Sequence, residues 1–318
     1  MKRFLMGLAM CAASIGAMAQ EAENKEIIKD GWNFGPLPVV GFDSDLGFQY
    51  GVCLDIFNFG DGSRYPSYDY KMNLEASTFT GGSSLLRFYG DFKTLIPDGK
   101  LFVDCTYFTA KKYDFYGYNG YASPFFVDGI GLEEGVTSAL NMMSRNQFRF
   151  VASVQQKIAG NLYWTLGLGY YNIKTGGVKL DEYKDQRTLY HLYRQVGLIR
   201  EDEAEGGNVL QFKAGLVYDT RDHDSDPTRG VNIEATLVGA PDIIDRKGYS
   251  NVGLTFVGSH YVPVWKDKLT FAYRLGMQAN IAGEVPFYFI NNLNTMFFRK
   301  VYTEGLGGNA SVRGINRN

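Results

Sequence analysis

Leu269-Thr270-Phe271-Ala272-Tyr273-Arg274-Leu275-Gly276-Met277-Gln278-Ala279-Asn280-Ile281-Ala282 alternates with a period of two. Leu269, Phe271, Tyr273, Leu275, Met277 and Ile281 fall on one side; Thr270, Arg274, Gln278 and Asn280 fall on the other. Successive side chains of an extended strand leave opposite faces, so the stretch reads as a strand with one apolar and one polar face. A tilted strand crosses a bilayer in about nine to eleven residues, and this stretch is long enough.

The same pattern recurs upstream. Asn33–Gly41 alternates poorly, but Leu46–Asn58 sets Phe48, Tyr50, Val52, Leu54 and Ile56 against Gln49, Gly51, Cys53 and Asp55. Tyr68–Thr80 and Ser83–Ile96 are joined by Gly81-Gly82, a hairpin signal. Lys100–Ala110 follows the turn Pro97-Asp98-Gly99, and Asn146–Ile158 and Asn161–Lys174 flank Ala159-Gly160. Asn208–Arg221, Val231–Gly239, Tyr249–Pro263 and Lys268–Ala282 complete about eleven expected strands. Lys111–Arg145 and Thr175–Gly207 are long loops, the second with a helical stretch expected at Asp185–Leu198. With the first strand starting on the inner side of a membrane, these two loops and the terminal Gly283–Asn318 all fall on the outer side. Tight turns at Ala159-Gly160 and Trp265–Asp267 fall on the inner side. Bacterial barrels sort their connections in this way.

Composition agrees. There are 22 Tyr, 23 Phe and 38 Gly among 318 residues, which suits aromatic girdles and tight turns. A formal net charge of −2 offers no basic field for nucleic acid. Residues 1–19 read as a signal peptide. Lys2 and Arg3 are its basic start, Phe4–Ile15 its apolar stretch and Ala17-Met18-Ala19 its cleavage site. Residues 20–32 are a short periplasmic lead-in, and 33–318 the barrel domain. Downstream of the signal no apolar run reaches the length of a spanning helix. An exported chain of this kind is then either soluble or spans as strands.

Catalytic and metal chemistry finds little support. There is no G-x-S-x-G elbow and no H-E-x-x-H, and Gly305–Gly308 is not followed by the Lys-Ser/Thr of a phosphate loop. His191, His223 and His260 lack ligand spacing. Cys53 and Cys105 fall on opposite strand faces, which argues against a disulfide. Asp222-His223-Asp224-Ser225-Asp226 places carboxylates at alternate positions, as a Ca²⁺ loop does. Pro227 stands where that loop needs Gly, however, and Ile233 where it needs Glu, so a polar hairpin turn is the better reading. No cofactor is expected. Arg87, Lys93, Arg149, Lys213 and Arg274 face the polar side, balanced by Asp91, Asp104 and Glu234. Tyr113, Tyr116, Tyr118 and Tyr121 make the loop after Ala110 aromatic.

Two further motifs stand in order. Asp219-Thr220-Arg221-Asp222 runs on to Pro227-Thr228-Arg229-Gly230, and about ninety residues later Gly305-Leu306-Gly307-Gly308 leads to Val312-Arg313-Gly314-Ile315. Over Asn208–Arg317 this order resembles the BamA/TamA superfamily of outer-membrane β-barrels, the bacterial surface antigen family. The resemblance implies an all-β, transmembrane antiparallel barrel of sixteen strands, with the Val-Arg-Gly loop between strands eleven and twelve. It places Asp219, Arg221, Asp222, Pro227, Arg229 and Gly230 in a family turn, and Val312, Arg313 and Gly314 in a loop whose Arg enters the lumen. Ile315 departs from the family's aromatic residue, and the resemblance is to a short form in which no POTRA domain is expected before the strands. About eleven of sixteen strands would then be present, with the reading frame expected to continue beyond the loop. The implied work is non-enzymatic: inserting or translocating proteins or lipids at the outer membrane. Its partners would be outer-membrane lipids, client outer-membrane proteins and periplasmic factors. A passive porin-like channel is the alternative. Nothing in the sequence sets an oligomeric state.

Overall fold

The computed structural model describes residues 28–43, 46–118, 138–181, 183, 186–224, 226–265 and 268–290. Eleven antiparallel strands follow one another in a single sheet whose spatial order is the chain order. They are β1 (Trp32–Asp43), β2 (Gly47–Asn58), β3 (Tyr70–Phe79), β4 (Ser84–Phe92), β5 (Gly99–Asp114) and β6 (Met142–Ala159). Then come β7 (Leu162–Gly176), β8 (Gly206–Asp219), β9 (Gly230–Ala240), β10 (Asn251–Trp265) and β11 (Leu269–Gly283). Short helices α1 (Leu189–Gln195) and α2 (Glu201–Ala204) lie between β7 and β8, and 3-10 turns occupy Ser138–Asn141 and Phe287–Phe289. The fold is all-β, an up-and-down meander with no crossover.

Several boundaries differ from expectation. β4 stops at Phe92, short of Ile96, because its partner β3 begins only at Tyr70; Lys93 still donates its N–H to the Asp69 carbonyl at 2.8 Å, and the chain then turns. β5 and β6 run on to Asp114 and back to Met142 through a bulge near Ala110, shortening the aromatic loop. Tyr113 is therefore a buried strand residue rather than an exposed loop aromatic. The expected helix over Asp185–Leu198 is only α1, and the separate α2 was not foreseen.

The sheet curls. Arg145 on β6 donates Nη1 to the carbonyl of Tyr288, beyond β11, at 2.7 Å. Five strand spacings would separate these groups by about 24 Å in a flat sheet. The sheet bends so that its polar side is concave. The expected polar face of each strand is this inner face. On β6 it carries Arg145, Gln147, Arg149, Ser153 and Gln155, all buried, while Phe148, Phe150 and Val154 look outward. Leu166, Phe212, Leu216, Leu237 and Leu275 are exposed on the outer face. Close approach of strands explains one glycine: a Cβ on Gly51 would collide with the Ala76 carbonyl and Ser77 of β3.

Candidate functional site: the concave wall and its two mouths

Connections β1–β2, β3–β4, β5–β6, β7–β8 and β9–β10 share one end of the sheet, the loop end. The start of β1 and the other turns share the opposite end, the turn end. Three arrangements follow from this geometry: a charged inner wall, an apolar cap at the loop end and an ionic latch at the turn end.

On the wall, register brings Arg87, Thr106 and Arg149 into one row across β4, β5 and β6. Asp104 sits diagonally to both arginines. Its Oδ2 accepts from Arg87 Nε and Nη2 at 3.0 and 2.7 Å. Its Oδ1 accepts from Arg149 Nη2 and Thr106 Oγ1, each at 2.7 Å. Charge-assisted bonds of this kind are the strong ones, and both guanidinium groups are nearly buried. Lys213 reaches Glu234 at 2.7 Å, and Glu234 is 1% exposed. The expected balancing of charges holds for these pairs, but Asp91 accepts from the Tyr68 hydroxyl at 2.9 Å while Lys93 turns elsewhere. Cys53 is inward and Cys105 outward, and they form no disulfide.

The cap is an apolar cluster. Phe108, Tyr113, Phe115, Met143, Tyr171, Ile173, Tyr190, Ile199 and the run Phe287–Phe289 are all buried together. Phe287 packs edge-on to Phe115, and Phe289 edge-on to Tyr171. The run is pinned from two sides: Arg145 holds the Tyr288 carbonyl, and Glu203 Oε2 accepts from the Phe287 N–H at 2.8 Å. Glu203 Oε1 also accepts from the Arg200 N–H that starts α2, so one carboxylate ties the β7–β8 loop to the segment after β11. Tyr190 Oη donates to the Ala204 carbonyl at 2.8 Å. Burial pushes the Tyr288 phenol up, helped by Asp245, and it stays protonated at any physiological pH. No sequence motif marked Glu203 or Arg145. The apolar run Pro286-Phe287-Tyr288-Phe289-Ile290 inside a supposed loop was the available signal.

The latch is the β8–β9 turn, where six of the predicted residues lie. Arg221 forms a fork on Asp219, Nε to Oδ1 at 2.9 Å and Nη2 to Oδ2 at 2.6 Å. Asp222 organises the loop: its Oδ1 accepts from the N–H groups of His223 and Thr228 at 3.0 Å and Arg229 at 3.3 Å, and its Oδ2 from the Thr228 hydroxyl. Gly230 restarts the chain at φ 102°, and a Cβ there would strike the Thr220 carbonyl. Pro227 precedes this restart, and the Arg229 carbonyl accepts from the Asp222 N–H at 3.3 Å. Asp224 swings across the mouth to Lys93 and Lys100 at 3.3 and 3.6 Å and to Arg221 at 3.2 Å. Burial pushes its carboxyl up, but Lys100, Lys93 and Arg221 outweigh that and hold it at about 2. Asp222 and Asp224 thus spend their oxygens on protein partners. The other predicted motif, Val312, Arg313 and Gly314, lies outside the described residues, as do the signal peptide and Tyr121.

All three tryptophans of the chain, Trp32, Trp164 and Trp265, lie at the turn end. Register lines Trp32, Tyr70 and Phe92 up across β1 to β4, with neighbouring rings 6.2 and 5.8 Å apart.

Among the described residues no helix is long and apolar enough to cross a membrane, and no three His, Cys, Asp or Glu side chains gather as a metal site. No protein-family model matches the sequence, and no curated protein matches it. The chain is similar to a solved structure, the crystal structure of BamA from Haemophilus ducreyi lacking POTRA domains 1-3, at 17% identity and a TM-score of 0.47. The match covers 84% of this chain and 45% of that one, so the chain spans less than half of that structure's length.

Proposed function

We propose that this chain is part of the wall of an outer-membrane β-barrel that inserts or translocates protein or lipid without enzymatic chemistry. The observation that carries the membrane reading is the inversion of its faces. The inner side holds Arg87, Asp104, Arg149, Lys213 and Glu234, while Leu166, Phe212, Leu237 and Leu275 lie exposed outside. A water-soluble sheet of this size would bury those leucines; a lipid-facing strand must present them. Strands of 9 to 18 residues suit a tilted crossing. The aromatic row at the turn end, with its tryptophans, is what an interfacial girdle requires. Signal-like residues 1–19 support export. The step from membrane wall to insertion or translocation rests on the two sequence motifs, and outer-membrane lipids, client proteins and periplasmic factors are the partners it calls for.

A passive channel fits less well. The aromatic cap crosses one mouth, and Asp224 crosses the other. The reading is tested by depleting the protein from its native cell. Loss of assembled outer-membrane proteins or of surface lipid, with the protein itself fractionating with the outer membrane, is the expected result. An unchanged envelope together with steady ion conductance in planar bilayers would favour the channel. Recovery as a freely soluble folded protein would overturn both.

A further inference from the structure

Thr188, fully buried, starts α1, and His191 stands three residues on. In a capping box that third position holds Glu or Gln, whose oxygen accepts the N–H of the starting residue. Here an imidazole takes its place. His191 Nδ1 accepts the Thr188 N–H at 3.2 Å and lies 3.0 Å from the Thr188 hydroxyl. A backbone N–H only donates, so Nδ1 carries a lone pair and the ring is neutral, with its proton on Nε2. The Thr188 carbonyl then accepts the first helical bond, from the Leu192 N–H at 3.1 Å.

The surroundings favour that neutral ring. Its Cε1 and Nε2 lie over Gly177, where a Cβ would come within 2.9 Å of both. Tyr190 stands edge-on to it, with centroids 5.4 Å apart. Among the described residues the charges that bear on it are Arg194 on α1 and Arg187 just before α1, both positive. Arg194 also pairs with Glu201 of α2 at 2.8 Å. Burial first, then Arg194 and Arg187, holds the imidazole below its ordinary 6.5.

α1 is also what docks the β7–β8 loop on the apolar cap. Tyr190 is buried with its ring 6.2 Å from that of Phe287, and Tyr193 packs edge-on to Phe115. The Tyr193 carbonyl accepts from the N–H groups of Leu198 and Ile199, which turn the chain toward α2.

We propose that His191 is an acid-sensitive catch at the loop end: the neutral ring closes the start of α1 and holds the helix on the cap, and the protonated ring releases it. A proton added at Nδ1 makes both ring nitrogens donors, and Nδ1–H then faces the Thr188 N–H, a second donor. That N–H loses its acceptor where no water reaches it, so the helix start must open to satisfy it. Tyr190, two residues on, moves with it. The contribution of the neutral ring is complete above pH 6.5 and is lost as pH falls through the lower folded value. The proposal rests on loop-end contacts alone and does not depend on the membrane reading.

The test uses the full chain in detergent. Ring-nitrogen resonances of His191, assigned against His191→Gln, should show the Nε2–H form at about pH 8 and a titration midpoint below 6.5. Leu192 and Val196 donate the N–H groups of the helical bonds to Thr188 and Leu192. Their amide exchange, corrected for its intrinsic pH dependence, should lose protection ~10-fold or more as the ring becomes charged. His191→Gln keeps an acceptor at this position that does not titrate, and should stay protected on acidification. His191→Leu should lack the protection at both ends of the titration. Glu203→Gln removes the carboxylate that ties α2 to Phe287 and should leave the acid response of α1 in place. A proton on Nδ1 at about pH 8, or a midpoint at or above 6.5, would overturn the proposal without any folded variant. So would unchanged protection once the ring is charged, or the wild-type acid response in His191→Gln.

Discussion

Thr165 and Leu166 are neighbours on β7, yet Thr165 is fully buried and Leu166 is 53% exposed. The same contrast runs along β6 to β9: Gln147, Arg149, Gln211 and Glu234 are inside, and Phe148, Phe150, Leu210 and Ile233 point out. Burial here does not sort residues by hydrophobicity. It sorts them by curvature, because the concave side crowds its side chains together and the convex side spreads them apart. Polar groups on the crowded side need one another as partners, hence Asp104 between two arginines and Glu234 against Lys213. Apolar groups on the spread side stay exposed, and under the membrane reading proposed above lipid would surround them.

The sharpest way to break this contrast is on the crowded side. Asp104→Ala leaves Arg87 and Arg149 buried beside each other with their shared carboxylate gone. A loss on the order of 3–5 kcal/mol is expected, read from denaturant unfolding of the refolded barrel in detergent. A loss below about 1 kcal/mol would mean that this wall is open to water and its pairs are screened.

On the spread side, Leu275→Arg should cost on the order of 2–4 kcal/mol if Leu275 lies near the middle of a bilayer. Gln278→Arg, on the inner face of the same strand, should cost far less. Equal assembly yields for the two variants in lipid vesicles would show that the faces are assigned the wrong way round, since a one-residue slip exchanges them.

Asp224 tests the turn end. Its folded value, about 2, lies below the ordinary 3.8, so the latch contributes fully above about pH 4 and is lost as pH falls toward 2. Acidification over that window should loosen the β8–β9 turn, seen as faster proteolysis there. Asp224→Asn should show the loosened turn already at neutral pH, with no further change on acidification.

The mildest test perturbs almost nothing. A spin label on Cys105 should report collisions with lipid-dissolved oxygen, and one on Cys53 should not. Identical accessibility at the two sites would remove the distinction between the faces.

Much of the wall was legible beforehand. Period-two alternation places Leu275 and Gln278 on opposite faces, and the structure keeps every such assignment on β11 that register can check. The turn residues Asp219, Arg221 and Asp222 were legible as well, because a turn is local: Asp222 binds groups within seven residues of itself. The helix boundaries were less legible. Arg200 lacks the side-chain oxygen that usually announces a helix start, and only Glu203, three residues on, marked α2.

The sequence alone determined the strands, their faces and their sequential pairing, because a period of two and short connections depend only on neighbours along the chain. Tertiary structure alone decided which charges meet and what crosses each mouth. Asp224 reaches Lys93 across 131 positions, Arg145 meets Tyr288 across 143, and Glu203 meets Phe287 across 84. These contacts depend on how tightly the sheet curls. Curl is the accumulated twist and register of all the strands, and no local run of residues encodes it.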